Sequence, residues 1–257
     1  MTRPDIAAAV SQLGSFLTNP SPLHLQQANN VIAYLRDTKH LCIEYSGRAP
    51  HALIETTDDS TVFRAASDAA YADDPSTRRS SEGYVFMLYG GPIDWRATKQ
   101  RVVSTSTTEA ELISASHAAK ELVWWDRFFH QLGFNPGHES TLYCDNTQTV
   151  DLLNKARPLL ATKLRHVDIH QHWLREGVQN KNLCVQWIPT ALMPADGLTK
   201  PLPKGKHQEF VRLIGMKDKS KELKMHVEEN GKLEMMPRPT TSFADVPIDN
   251  LIGLKMS

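Results

Sequence analysis

A run of short apolar segments, broken by one long amphipathic stretch, constrains this chain more than any other feature. Val62–Ser67 is short and β-prone. Gly83-Tyr-Val-Phe-Met-Leu-Tyr89 reads as a strand that Gly90-Gly91 and Pro92 turn back into Ile93–Arg96. The spacing of Leu112, Ala115, Ala118, Ala119, Leu122, Trp125 and Phe129 predicts a helix from Thr107 or Thr108 to Leu132, stopped by Gly133. Thr141–Cys144 then reads as a buried strand. A short helix carrying Val150, Leu152 and Leu153 follows, then a helix over Thr162–Gly177 and a strand Leu183–Ile188 ended by Pro189. That order implies an α/β fold, a mixed five-stranded sheet with helices on its faces.

The flanks differ in composition. Residues 1–45 read as helices, with Ile6, Val10, Leu13 and Phe16–Leu17 at helical spacing, a break at Asn19–Pro22, then Leu25, Ala28, Val31–Ile32 and Leu35. This piece is too small for a sizeable core of its own, so it is expected to pack on a neighbour. From Lys217 the chain turns polar and loses periodicity, which marks 217–257 as a disordered tail. The expected organisation is 1–45, 46–216 and 217–257.

Three scattered cysteines, Cys42, Cys144 and Cys184, suit a reducing compartment and make neither a zinc ribbon nor a disulfide framework. No stretch approaches the roughly 18 apolar residues of a membrane span. The expectation is an intracellular protein, cytoplasmic or nuclear, neither secreted nor membrane-bound. Net charge is zero, which leaves a nucleic-acid partner open because recognition depends on clustered charge. Lys155, Arg157, Lys163, Arg165, Arg175 and Lys181 do cluster, although a solvated helix face is the plainer explanation.

Four carboxylates, Asp68, Glu111, Asp145 and Asp196, each fall at a strand end or helix start. Hard divalent cations prefer such oxygen ligands, and two of them about 4 Å apart can clamp both oxygens of a phosphoryl displacement. Each residue also has a plain explanation. Asp68 fits a turn. Asp145, after the apolar strand, fits the N-cap of the next helix, although ligands also gather at the carboxyl ends of parallel strands. Asp196 fits a first-turn cap. Glu109 and Glu111 lie about 200° apart on one helix. Glu111 falls on the apolar side, where a carboxylate is costly without a partner, and Glu109 falls opposite with Ser116, Lys120 and Arg127. A capping box from Thr108 to Glu111 is the alternative role for Glu111.

At these residues the chain resembles the ribonuclease H domain of copia-type LTR retrotransposon polyproteins. Ser67-Asp-Ala-Ala-Tyr-Ala-Asp-Asp74 is similar to the family's first-strand motif, with Ala70 for the usual Asp and Tyr71 for the usual Trp. Arg79–Phe86 and Gly91–Gln100 resemble its hairpin, Ser106–Leu112 its Ser-Ser-Thr-Glu-Ala-Glu-Tyr, and Cys144-Asp-Asn146 its central Asp-Asn. Arg165–His170 and Ala195-Asp-Gly-Leu-Thr-Lys-Pro-Leu202 resemble the last two motifs. Upstream, Arg3–Val10, Asn19-Pro20, His24 and Ala33–Leu35 are similar to the C-terminal end of the reverse transcriptase.

The resemblance implies a ribonuclease H-like fold behind a helical remnant of the reverse transcriptase thumb or connection. It implies an endonuclease acting on the RNA strand of RNA–DNA hybrids, with Asp68, Glu111, Asp145 and Asp196 holding two Mg²⁺, or Mn²⁺. Lys99, Arg101, Asn146, Lys163, Arg165 and His166 would contact the hybrid. The rest of the polyprotein is the implied protein partner, and a virus-like particle an implied location. The alternative is an inactive nucleic-acid-binding remnant of a decayed element.

Two signals mislead. Tyr71-Ala-Asp-Asp74 spells a polymerase palm motif, but only 70 residues precede it, too few for fingers and palm. His166 and His170 have the i, i+4 spacing of metal ligands and His172 follows, yet no His-Glu-x-x-His or cysteine pair completes a zinc site.

Overall fold

The structure, a computed structural model, describes residues 2–45, 62–136, 140–154 and 165–222, with the side chains of 165–167 left aside. In chain order the elements are α1 (Ala7–Gly14), α2 (Pro22–Asp37), β1 (Leu41–Ile43), β2 (Phe63–Ala70), β3 (Ser81–Leu88), β4 (Gly91–Lys99), α3 (Thr107–Gln131), β5 (Thr141–Cys144), α4 (Thr147–Asn154), α5 (Arg165–Gln179), β6 (Cys184–Trp187), α6 (Asp196–Thr199), α7 (Lys204–Leu213) and β7 (Met216–Asp218).

Five strands form one mixed sheet in the order β4-β3-β2-β5-β6. The β2-β3-β4 meander is antiparallel, whereas β5 runs parallel to β2 and β6 parallel to β5. This is the mixed, helix-flanked five-stranded sheet that the sequence implied. Parallel neighbours need a crossover, and α3 supplies it between β4 and β5. The hairpin differs from expectation by one residue. Its turn is Tyr89-Gly90, with φ of 49° and 83°, so β4 starts at Gly91. Positive φ at both central positions is what a type I′ turn needs to match strand twist, and Tyr89 adopts it despite its side chain.

Period-two alternation splits the core between the two faces. Phe63, Ala65, Tyr84, Phe86, Leu142 and Cys144 pack with α3, α4 and α5. Ala66, Val85, Met87 and Tyr143 pack with Leu198, Phe210 and Ile214. The predicted stripe of α3 is buried at Leu112, Ala115, Ala118, Ala119, Leu122 and Phe129. Each leucine there contributes about 1.5–3 kcal/mol. Ser116, assigned to the outer face, is also buried, because α5 packs there and His170 Nδ1 lies 2.7 Å from its hydroxyl.

The described residues up to Asp218 belong to one compact unit. Within it, β1 pairs antiparallel with β7, so Leu41–Ile43 and Met216–Asp218 form a two-stranded sheet. Buried Asp5 accepts from Arg3 at 2.9 and 2.7 Å and from the Tyr34 hydroxyl at 2.8 Å. Its carbonyl meets His207 Nε2 of α7 at 3.0 Å. The expected tail from residue 223 onward lies outside the described residues, and among those described no helix is long and apolar enough to cross a membrane.

Candidate active site

Strand register gathers the first carboxylates. β2 and β5 pair with Ala66 opposite Tyr143, so Asp68 and Asp145, each two residues further on, emerge at the same end of the sheet. Asp145 is held from β6 and the segment after it: its carbonyl accepts from Trp187 Nε1 at 3.0 Å and its Oδ2 from the Thr190 hydroxyl at 2.8 Å. The capping role open to Asp145 falls to Asn146, whose Oδ1 accepts from the Thr149 amide at 2.9 Å.

α3 brings the glutamate. Its N-cap is Ser106, whose hydroxyl accepts from the Glu109 amide at 3.2 Å. Glu109 turns back to accept from the Thr105 amide and hydroxyl at 2.7 and 2.6 Å. The helix terminus is thus capped without Glu111, which points at the sheet and accepts from the Ala69 amide at 3.3 Å. One turn later the Ser114 hydroxyl donates to the Asp68 carbonyl at 2.8 Å, which pins α3 to β2.

The fourth carboxylate arrives on α6. Gly83 sits opposite Asp68 on β3, and a Cβ there would stand 2.6 Å from Leu198 Cβ and 3.2 Å from Thr199 Cγ2. The bare glycine therefore lets α6 lie directly on the sheet. From that position Thr199 donates to Asp68 Oδ2 at 2.5 Å, and Lys200 Nζ lies 2.5 Å from Asp196 Oδ1.

Asp68 and Glu111 are buried, at 4% and 6% exposure, and like charges surround them. Burial, opposed by the Thr199 hydrogen bond and reinforced by Asp145 and Asp196, pushes Asp68 up to about 6. Burial, with Asp68 and Asp145 adding to it, pushes Glu111 well above the usual range. Glu111, the Cys144 sulfur and Asp145 offer ligand atoms within 4.8 Å of one another. Burial, with Glu111 beside it, holds the Cys144 thiol far above its ordinary value. In the metal-free protein it is therefore a neutral donor toward Glu111 Oε2 at 3.8 Å. Around it, Asp68, Glu111, Asp145 and Asp196 form an oxygen-rich set, two members of which ionise less readily than ordinary carboxyls. That set fits a hard divalent cation.

No protein-family model matches the chain. Over 215 residues, 84% of its length, it is 37% identical to the retrovirus-related Pol polyprotein from transposon TNT 1-94 of Nicotiana tabacum. Over the same length it is 33% identical to the one from transposon RE1 of Arabidopsis thaliana. Over that span the chain is related to the retrovirus-related Pol polyproteins of plant transposons. It spans only 15% and 14% of the length of those two relatives. It is also 40% identical, over 124 residues, to a protein of Plasmopara viticola named secreted RxLR effector protein 161, covering 48% of this chain and 80% of that one. Among solved structures it is similar to an RNase H1 isolated from compost, with 15% identity, 53% of this chain and 91% of the other covered, and a TM-score of 0.41. That score adds nothing to what the strand order shows.

Of the remaining candidates, the described side chains are those of Asn146, Lys99 and Arg101. Lys99 is tied to Asp74 Oδ2 at 2.5 Å, and with Ser76 it holds that carboxyl far below the usual range. Asp73 accepts from the Ser81 amide and hydroxyl, so both aspartates of the palm-like motif serve the β2–β3 loop. Arg101 is exposed. Lys163 and the side chains of Arg165 and His166 lie outside the described residues, as do Lys155 and Arg157. His170 packs edge-to-face on His117, whose Nδ1 meets both oxygens of buried Glu82 at 2.9 Å, and His172 is exposed. Sequence reasoning assigned no role to Thr199, Ser114 or Gly83. Only Lys200, four residues after Asp196, carried a legible spacing.

Proposed function

We propose that this chain hydrolyses the RNA strand of RNA–DNA hybrids with divalent cations, as the nuclease portion of a retroelement Pol polyprotein. In this reading 46–216 is the nuclease and 1–45 the end of the preceding reverse transcriptase. The protein acts inside the cell together with the rest of the polyprotein. The observation that carries it is the convergence of Asp68, Glu111, Asp145 and Asp196, two of them buried, at the carboxyl end of parallel strands. A chain that only bound nucleic acid gains nothing from a negative cluster beside a phosphate backbone.

Those four residues would hold two Mg²⁺. When bound, the ions supply activation of water and stabilisation of charge on the leaving oxygen. Hydrolysis forms a bond from the water oxygen to phosphorus and breaks the P–O3′ bond, leaving 5′-phosphate and 3′-hydroxyl ends. The chain's own part is to hold the carboxylates in place: Thr190 fixes Asp145, Ala69 fixes Glu111, and Lys200 balances Asp196. Choice of hybrid over DNA duplex rests on the 2′-hydroxyl and groove shape, not on base sequence. Exposed Arg101 supplies a phosphate contact.

The test is cleavage of a labelled RNA–DNA hybrid by the purified chain with and without Mg²⁺, against single-stranded RNA and duplex DNA. Expected is Mg²⁺-dependent cutting of the hybrid alone, abolished in Asp145→Asn. Salt-sensitive hybrid binding with no metal-dependent cutting would instead identify an inactive remnant.

A further inference from the structure

Asp68 is gripped unevenly. Ser114 holds its carbonyl and Thr199 holds Oδ2, while among the described residues no hydrogen bond reaches Oδ1. The Thr199 hydroxyl has one proton and two acceptors, Asp68 Oδ2 at 2.5 Å and the Asp196 carbonyl at 3.0 Å. The shorter, charge-assisted contact is the stronger of the two. Thr199 is 4% exposed, and its methyl group rests over Gly83, so its rotamer is fixed by packing. The same short helix begins with Asp196. One hydroxyl therefore couples the carboxylate of β2 to the element that presents the fourth carboxylate.

We propose that Thr199 is a positioning residue for the cation site: by tying down Oδ2 it leaves Oδ1 of Asp68 as the ligand atom and holds α6 in register with β2. This rests on the proposed reading only in that the carboxylate cluster binds a divalent cation. Partners of metal ligands that hydrogen-bond from behind orient the donor atom, and losing one costs about 10–100-fold in metal affinity or activity.

The experiment compares the parent chain with Thr199→Val, Thr199→Ala and Thr199→Ser. Mg²⁺ affinity is measured by titration calorimetry without nucleic acid, and kcat and KM on the hybrid are measured separately. Valine and alanine are both expected to weaken Mg²⁺ binding about 10–100-fold and to lower kcat with KM for the hybrid unchanged. Serine restores both. Circular dichroism melts show whether each variant is folded. A merely structural threonine would shift the melts and leave the affinity of the folded protein alone. Parent-like Mg²⁺ affinity in the folded valine or alanine variant overturns the proposal. So does a serine variant as weak as valine, or a parent chain that binds no Mg²⁺. A parent that binds Mg²⁺ but cuts no hybrid sinks the nuclease reading alone, because the affinity series still decides the role of Thr199.

Discussion

The Ala69 amide donates to Glu111 Oε1 at 3.3 Å across the gap between β2 and α3. Two residues earlier, Glu109 turns back to Thr105 instead. One glutamate is committed to the sheet end and the other to the helix end, so their substitutions should separate. Glu111→Gln is expected to lower Mg²⁺-dependent hybrid cleavage about a hundredfold or more, since a lost ligand costs at least as much as a lost supporting contact. It should also raise the melting temperature of the metal-free protein, because a buried carboxylate among like charges becomes neutral. Glu109→Ala should keep cleavage and lose about 1 kcal/mol of stability through the helix cap. Parallel cleavage assays and thermal melts decide it, and the reverse pattern would move the assignment to Glu109.

Raised carboxylates make the metal-free fold sensitive to pH in an unusual direction. Asp68 goes from an ordinary 3.8 to about 6 on folding, so between those values the folded chain holds more protons than the unfolded one. The stability it contributes is complete in acid and is lost as pH rises from about 4 through 6. For this group alone that amounts to roughly 3 kcal/mol. Glu111 shifts the same way. A cation relieves the repulsion only where the carboxylates are ionised. The rise in melting temperature on adding Mg²⁺ should therefore be small at pH 5 and large at pH 8. An increment independent of pH would show that these carboxylates do not hold the ion.

Gly83 tests whether α6 must lie on the sheet. A Cβ there meets Leu198 Cβ at 2.6 Å and the Arg96 carbonyl at 3.2 Å, and neither is the far end of a flexible side chain. Gly83→Ala is expected to cost about 1–3 kcal/mol as overpacking and to reduce cleavage more than binding of hybrid. Denaturant melts and a filter-binding assay separate the two effects. Unchanged stability and cleavage would mean that α6 can lift without consequence for Asp196 or Thr199.

Much of this arrangement was legible because it rests on periodicity. Helix geometry alone directs Glu111 inward, and the end of the apolar strand Leu142–Cys144 places Asp145. The turn at Tyr89-Gly90 was missed because a tyrosine at positive φ gives no warning in the sequence. Thr199 and Asp68 stand 131 residues apart, and nothing local links a hydroxyl on one element to a carboxylate on another. The β1–β7 pair was invisible for a similar reason: three-residue strands carry no alternation to detect, and Met216–Asp218 begins where the polar tail was expected. Periodicity reports which face a residue takes, not which distant element lies over it.

Lys99 and Arg101 looked equivalent as phosphate contacts two residues apart, and the fold separates them. Lys99 is a part-buried partner of Asp74, in a loop where Asp74 also accepts from the Ser76 amide at 2.9 Å. Arg101 is exposed just beyond β4. Lys99→Met should therefore loosen the β2–β3 loop and lower stability while leaving the salt dependence of hybrid binding as it was. Arg101→Ala should leave stability unchanged and reduce the slope of log affinity against log salt by about one, the signature of one lost phosphate contact. Hybrid binding measured across a salt series in both variants, alongside melts, distinguishes the roles. A reduced slope in Lys99→Met would mean that Lys99 leaves Asp74 for the backbone of the nucleic acid when the complex forms.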